Sequence, residues 1–204
     1  FIRAIVVGIC RSYLRLRVVG LENVPKDGAF VFAPTHRSTI DIPVASAATR
    51  RRMRFMGKDS IWKFKPIGKI MTGLGAFPVT RGSADLEALK RCIAVLKSGE
   101  PLVMFPEGTR HFGPEVQPLF DGAAYVALKT GVPIVPAGIA GTEDVMSSGS
   151  KAIRFKKCRM VIGKPITATV PNGGRASREQ IAELTVNLQR QLQLLLDEAN
   201  RLIS

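Results

Sequence analysis

The sequence is poor in the residues that would make several chemistries easy. It holds three cysteines, two histidines, one tryptophan and two tyrosines in 204 residues, with 16 acidic side chains against 30 basic ones. Cys10, Cys92 and Cys158 are odd in number, widely spaced and free of any C-x-x-C pair, which excludes a disulfide framework and fits a reducing compartment. They read as small buried hydrophobes. With two histidines and no acidic cluster beside either, no protein-bound metal is expected. No G-x-S-x-G is present and no cysteine lies near a histidine in sequence, so nothing marks a covalent nucleophile. The scarcity of aromatics, with no zinc-finger spacing and no RNA-recognition signature, weighs against nucleic acid as a partner.

Long hydrophobic runs are also missing near the start. The longest uncharged stretch there, Ala4 to Cys10, falls far short of the ~20 residues that cross a bilayer. Residues 1–17 instead interrupt apolar stretches with arginine, and Phe1, Ile5, Ile9 and Tyr13 recur at helical spacing. Such a segment suits a helix in the membrane interface with snorkelling arginines, or equally an amphipathic helix packed on its own domain. Because the sequence opens on Phe1, a preceding signal or membrane segment is not legible.

What the chain does have is apolar mass and positive charge. At 46% hydrophobic and 23% charged, with no internal repeat, it suits one domain with a sizeable core. The formal net charge of +14 calls for a polyanionic partner, such as an anionic membrane and its phosphorylated lipids.

Strand patterns alternate with helical ones. Arg17–Val19 and the apolar run Ala29–Pro34 read as strands, the second buried on both faces, followed by a helix over Ile42–Ala48. A short strand at Met53–Gly57 leads to a Pro66–Gly68 turn and a further helix, and Phe77–Val79 to another strand, with Ser83 or Asp85 capping the next helix. Leu86, Leu89, Ile93 and Leu96 form the core stripe of a helix that Gly99 stops. Pro101–Phe105 is a buried strand, Asp121–Thr130 a helix, and Pro133–Ile139 a strand whose prolines suggest the margin of a sheet. Lys151, Arg154, Lys156, Lys157 and Arg159 alternate with apolar residues toward a final strand with a basic face. A capping box at Ser177–Gln180 opens a terminal helix whose stripe, Ile181, Leu184, Leu188, Leu192, Leu195 and Leu202, serves as core or as an oligomer face. The pattern is that of an α/β domain with a mixed, largely parallel central sheet flanked by helices.

His36 follows the strand at Ala29–Pro34, where open α/β sheets place their ligand sites, and Asp41 stands five residues on. Five residues turn a helical side chain about 500°, roughly 140° off-face, and put a strand side chain on the opposite side. The two can meet only if the chain turns between them, as Pro34, Ser38, Thr39 and Pro43 permit. A carboxylate on one imidazole nitrogen fixes the tautomer and steadies the imidazolium while the other nitrogen takes a proton. On these residues alone Asp41 is as well suited to capping a helix, and His36 to ending a strand.

Phe105-Pro106-Glu107-Gly108-Thr109-Arg110 tips that balance. Together with His36-x4-Asp41 it resembles the two most specific blocks of the glycerolipid acyltransferase family, in its lysophosphatidate acyltransferase branch. Gly75–Gly82 resembles the family's acceptor-binding block and Val132–Ala137 its fourth, in the family's order, so the resemblance covers roughly residues 18 to 170. Asp121 stands where relatives often carry a basic residue.

The resemblance implies acyl transfer from a coenzyme A or carrier-protein thioester to the hydroxyl of lysophosphatidate, giving phosphatidate without a cofactor. His36 would be the base, Asp41 its orienter, and Arg81, Glu107, Gly108, Thr109, Arg110 and Lys58 would bind the acceptor and its phosphate. It also favours the membrane reading of residues 1–17, ahead of an acyltransferase domain over 18–204 on the cytoplasmic face. Two alternatives remain: a non-catalytic basic domain binding anionic membrane, and a hydrolase in which His36 activates water.

Overall fold

The structure is a computed structural model that describes residues 2–79, 86–146, 152–167, 169–170 and 176–203. A seven-stranded sheet runs through it in the order β1-β7-β6-β2-β5-β3-β4, where β1 is Arg17–Val19, β2 Val31–Pro34, β3 Arg54–Lys58, β4 Ala76–Val79, β5 Leu102–Val103, β6 Ile134–Ala140 and β7 Arg159–Ile162. Every neighbouring pair is parallel except β6 with β7. Strands buried on both faces need no polar alternation, and β2, β6 and β7 are buried throughout.

Alternate residues feed two apolar layers. Val31, Ala33, Leu102 and Ile134 face α4 (Leu86–Lys97), α5 (Gly122–Thr130) and α7 (Arg178–Arg201). Phe30, Phe32, Val103 and Val135 face α1 (Ile2–Tyr13) and α2 (Asp41–Ala45), which continues as a 3₁₀ turn over Ser46–Ala48. The remaining helices are α3 (Lys65–Leu74) and α6 (Thr142–Val145). On α7 the capping box closes as expected, with Gln180 N–H donating to Ser177 Oγ at 3.1 Å and Ser177 N–H to Gln180 Oε1 at 2.8 Å. The α7 backbone then lies directly on β6: a Cβ at Gly138 would overlap the backbone of Leu195. Its stripe is therefore core, although Leu202 at the end is exposed.

Four local expectations change. The proline-bearing strand is β6, near the middle of the sheet and not at its margin. Pro136 is tolerated because its carbonyl, accepting from Gly163 N–H at 2.9 Å, faces β7 where the regular β6–β7 ladder has ended. Pro66 lies in the first turn of α3, where a missing N–H costs no helical bond, so the expected turn is a helix start. Leu86 is exposed, and the α4 stripe begins at Leu89 and Cys92. Arg159 is buried and donates to the carbonyls of Leu202, Arg15 and Cys158, so it ties chain ends together and does not contribute to a basic outer face. The expected caps Ser83 and Asp85, and Lys151, lie outside the described residues.

The boundary drawn after residue 17 falls at β1. Inward, Cys10 of α1 and Leu14 just after it are buried, and Arg3 Nη1 donates to the carbonyls of Ser46 at 2.9 Å and Thr49 at 2.6 Å. Outward, Ile5, Ile9 and Tyr13 are exposed. None of the described helices is long and apolar enough to cross a membrane.

Candidate active site

Parallel strands send their C-terminal ends to one edge of the sheet, and at β2 two neighbours diverge, β6 on one side and β5 on the other. Such a crevice is where open α/β sheets bind ligands. His36 follows β2, Glu107–Arg110 follows β5, Thr142 follows β6 and Lys58 ends β3, so all four reach this edge. Arg81 follows β4 and lies outside the described residues.

The chain does turn between His36 and Asp41. Asp41 opens α2, fully buried, and its Oδ2 accepts from Arg37 N–H at 2.5 Å, Ser38 N–H at 2.7 Å and His36 Nδ1 at 2.9 Å. The carboxylate thus gathers the loop around itself instead of capping α2. Because the carboxylate oxygen is the acceptor for two backbone donors, the third contact is a donation from Nδ1–H, which leaves the lone pair of neutral His36 on Nε2. The other oxygen, Oδ1, accepts from Thr142 Oγ1 at 2.5 Å. The imidazole also stacks on the Phe105 ring, with centroids 4.0 Å apart. His36 is oriented by Asp41, Asp41 by Thr142, and the ring face by Phe105.

A second buried network locks the loop to β5. Glu107 Oε1 accepts from His36 N–H at 2.8 Å, and Oε2 from Arg37 Nη1 at 2.8 Å and Gln117 N–H at 3.2 Å. Arg37 and Glu107 are each 1% exposed, and Arg37 Nη2 reaches the Glu115 carbonyl at 3.1 Å. Glu107, expected among the acceptor-binding residues, has its carboxylate bonded within the protein to the His36 amide, Arg37 and the Gln117 amide. Gly108 makes the tight turn beyond it at φ 70°, where a Cβ would meet the Phe120 ring at 2.6 Å.

Gly108, Thr109, Arg110 and Lys58 are exposed. Arg110 pairs with neither Glu107 nor Glu115: its Nη1 donates to Thr39 Oγ1 at 2.8 Å, bringing the guanidinium beside the His36 loop. Thr39 also lines a cavity of about 720 Å³ between α1, α2 and α3, whose walls include Val6, Ile42, Phe55, Met71 and Leu74 and whose rim carries Arg50, Arg51 and Arg52.

Arg37 and Thr142 went unread in the sequence, and Thr39 was read only as a turn residue. Only Gly141-Thr142-Glu143-Asp144, small and acidic residues that favour a helix start, pointed toward Thr142. Glu143 is half-buried with Oε2 unpartnered among the described residues. Burial pushes its carboxyl above the usual range, Arg37 pulls it back, and Asp144 and Asp41 add to the rise. Cys10, Cys92 and Cys158 are buried free thiols, and burial pushes Cys92 and Cys158 up to about 12. None can serve as a thiolate nucleophile. Among the described residues no group of three or more His, Cys, Asp and Glu is arranged to hold a metal.

The family model described as Acyltransferase matches residues 15–140. The chain belongs to the acyltransferase family. It is 31% identical to the 1-acyl-sn-glycerol-3-phosphate acyltransferase of Bacillus subtilis, over 92% of this chain and 91% of that protein. It is 34% identical to the chloroplastic 1-acyl-sn-glycerol-3-phosphate acyltransferase BAT2 of Brassica napus, over 76% of this chain. The chain spans about half the length of the plant relatives it matches, 46% of BAT2 and 44% of the Arabidopsis thaliana protein LPAT1. The crystal structure of the 1-acyl-sn-glycerophosphate (LPA) acyltransferase PlsC from Thermotoga maritima superposes with a TM-score of 0.76 at 25% identity, over 96% of this chain and 80% of that one.

Proposed function

We propose that this chain transfers a fatty acyl group from a thioester of coenzyme A or a carrier protein to the free hydroxyl of lysophosphatidate, forming phosphatidate. The observation that carries this reading is the 2.9 Å His36–Asp41 contact, beside the Phe105–Arg110 loop in a chain of this family. His36 Nε2 takes the proton of the acceptor hydroxyl as its oxygen attacks the thioester carbonyl. The tetrahedral intermediate expels the thiolate, which takes the proton back from the imidazolium. Asp41 stays ionised and steadies the imidazolium in between. Attack is direct, because the cysteines are buried and, among the described residues, no serine hydroxyl is bonded to His36 or to a carboxylate.

The acceptor's phosphate meets Arg110, with Lys58 and Arg81 beside it, since a planar guanidinium matches phosphate bidentately. The cavity behind Thr39 has room for an apolar chain. The outward stripe of α1, with the excess of basic residues, holds the domain on an anionic membrane at its cytoplasmic face. Thioester consumption by the purified protein, with both donors and both lysophosphatidate isomers, tests the reading. It predicts acceptor-dependent thiol release and phosphatidate as product. Release of free fatty acid without acceptor would make the protein a hydrolase; binding to anionic vesicles without thioester consumption would make it a non-catalytic membrane domain.

A further inference from the structure

The membrane-facing surface read from the sequence ends with α1, yet a second helix carries an apolar edge that the fold leaves uncovered. On α3 and its N-cap residue, Phe64, Ile67 and Ile70 are 61%, 47% and 58% exposed, while Lys63, Lys65 and Lys69 are interspersed among them. The opposite side of α3 is pinned. Trp62 wedges between Gly57 of β3 and Gly68 of α3, where an added Cβ would lie 2.8 Å and 3.0 Å from its ring, and its Nε1–H donates to Thr72 Oγ1 at 3.0 Å. With the buried Gly68 packed against Trp62 and Thr72 bonded to the same indole, the helix is held with its apolar edge outward.

Around the α3 axis, Ile67 and Ile70 adjoin Met71 and Leu74, which line the cavity of about 720 Å³. Around α1, the exposed Ile9 and Tyr13 adjoin Val6, which lines the same cavity. On each helix the exposed apolar edge therefore adjoins residues that line one chamber. Arg50, Arg51 and Arg52 line the chamber; the Arg51 guanidinium donates to the carbonyls of Pro25 and Gly99 and that of Arg52 to the carbonyl of Thr72, while the exposed Arg50 can meet a lipid phosphate.

We propose that α3 is a second membrane-inserting element, which with α1 seats the chamber mouth on an anionic bilayer so that lipid enters from the side without crossing water. Lysine stems that reach the headgroups while Phe64, Ile67 and Ile70 enter the acyl region fit a phospholipid surface. Lys65 and Lys69 stand roughly 160° around α3 from Ile67, so basic and apolar faces oppose each other as on a helix lying in an anionic interface. The proposal extends the membrane reading of α1 given above and is tested apart from it.

The single tryptophan makes α3 its own reporter. Full-length protein is mixed with vesicles of phosphatidylcholine, or of phosphatidylcholine with phosphatidylglycerol, carrying brominated acyl chains. Flotation and Trp62 fluorescence are read together. Quenching is expected on the anionic vesicles, with Ile67→Glu/Ile70→Glu abolishing it and weakening flotation at least tenfold. Both positions are exposed, so an unchanged melting temperature certifies the fold. Ile5→Glu/Ile9→Glu probes α1 separately. If wild-type protein floats, depends on α1, and shows neither quenching nor any effect of the α3 substitutions, the α3 proposal fails and the α1 reading stands. If wild-type protein does not float at all, both fail. A concentration-dependent dimer that the α3 substitutions dissolve, without quenching, would assign the edge to a second copy of the chain and overturn the bilayer.

Discussion

The two halves of the candidate site are built on opposite principles. Around His36 and Asp41 nearly every polar atom is spoken for: three donors converge on one carboxylate oxygen, Thr142 holds the other, and the buried Arg37–Glu107 pair fixes the loop from behind. Around Arg110 and Lys58 the side chains are exposed, and Arg110 is steadied by a single hydroxyl. A base must sit within hydrogen-bond reach of one proton, so its freedom is removed in advance. Groups that grip a phosphate gain from reach, because the ligand itself orders them. Packing defines the first half, and charge the second.

The comparison breaks most sharply at the base. His36→Ala and Asp41→Ala should each lower transfer by about 10² to 10⁴, with the double variant little worse than the poorer single one. Effects that multiply would mean that the two residues do not act as a unit.

Next is the pair behind the loop. Glu107→Leu alone should cost about 3 to 5 kcal/mol of folding stability, because Arg37 would be left buried without its counter-charge. Arg37→Met with Glu107→Leu should recover much of that loss in a denaturant titration, though His36 N–H then lacks its acceptor and activity should stay low. Stability unaffected by either single change would show the pair to be ornamental.

Thr142→Val keeps the volume and removes one donor to Asp41, so kcat should fall about 5- to 150-fold, the range of about 1 to 3 kcal/mol for a buried group left unsatisfied. KM should hold and Thr142→Ser should rescue. A change in KM alone would mean that Thr142 shapes the substrate pocket.

In the exposed half, Arg110→Ala should raise KM for lysophosphatidate about 10- to 150-fold, from a charge-assisted bond of about 1.5 to 3 kcal/mol, and leave transfer to monoacylglycerol almost untouched. Equal losses on both acceptors would assign Arg110 to the donor or to the loop.

The smallest effect concerns Glu143. A carboxyl raised by burial favours the folded state while protonated; that contribution is complete below the ordinary carboxylate range and is lost as pH rises through the raised value. Glu143→Gln should therefore gain stability relative to wild type only above the ordinary range, by well under about 1 kcal/mol because the group still meets solvent. An equal difference at all pH values would rule out its ionisation as the cause.

How much was legible depended on whether a residue's signal was local. His36, Asp41 and the Phe105–Arg110 loop could be read because each stands where an apolar strand run gives out, and because their blocks recur in a family. Thr142 could not, since it approaches Asp41 across 101 positions and only the parallel pairing of β2 with β6 brings them together. Glu107 was legible as a position but not in its partners: only the fold shows its carboxylate buried against Arg37 and the His36 amide. Pro136 misled because a proline argues against a central strand unless its carbonyl side faces a place where the neighbouring ladder has stopped, which no local pattern records. The exposed edge of α3 escaped notice for a related reason, since a stripe of Ile67, Ile70 and Leu74 looks the same whether a core covers it or not.

The outermost strand pairing carries a consequence in time. β1 finds its sheet partner only in β7, with Arg17 opposite Arg159. At a synthesis rate of about 5 to 20 residues per second, β1 waits roughly 7 to 30 s after leaving the ribosome before that partner exists. Through that interval the strand following α1 has no sheet to join, and Cys10 and Leu14 lack the Cys158 neighbourhood that later buries them. For that interval the arginine-bearing amphipathic helix α1 stands without the sheet that later closes beneath it.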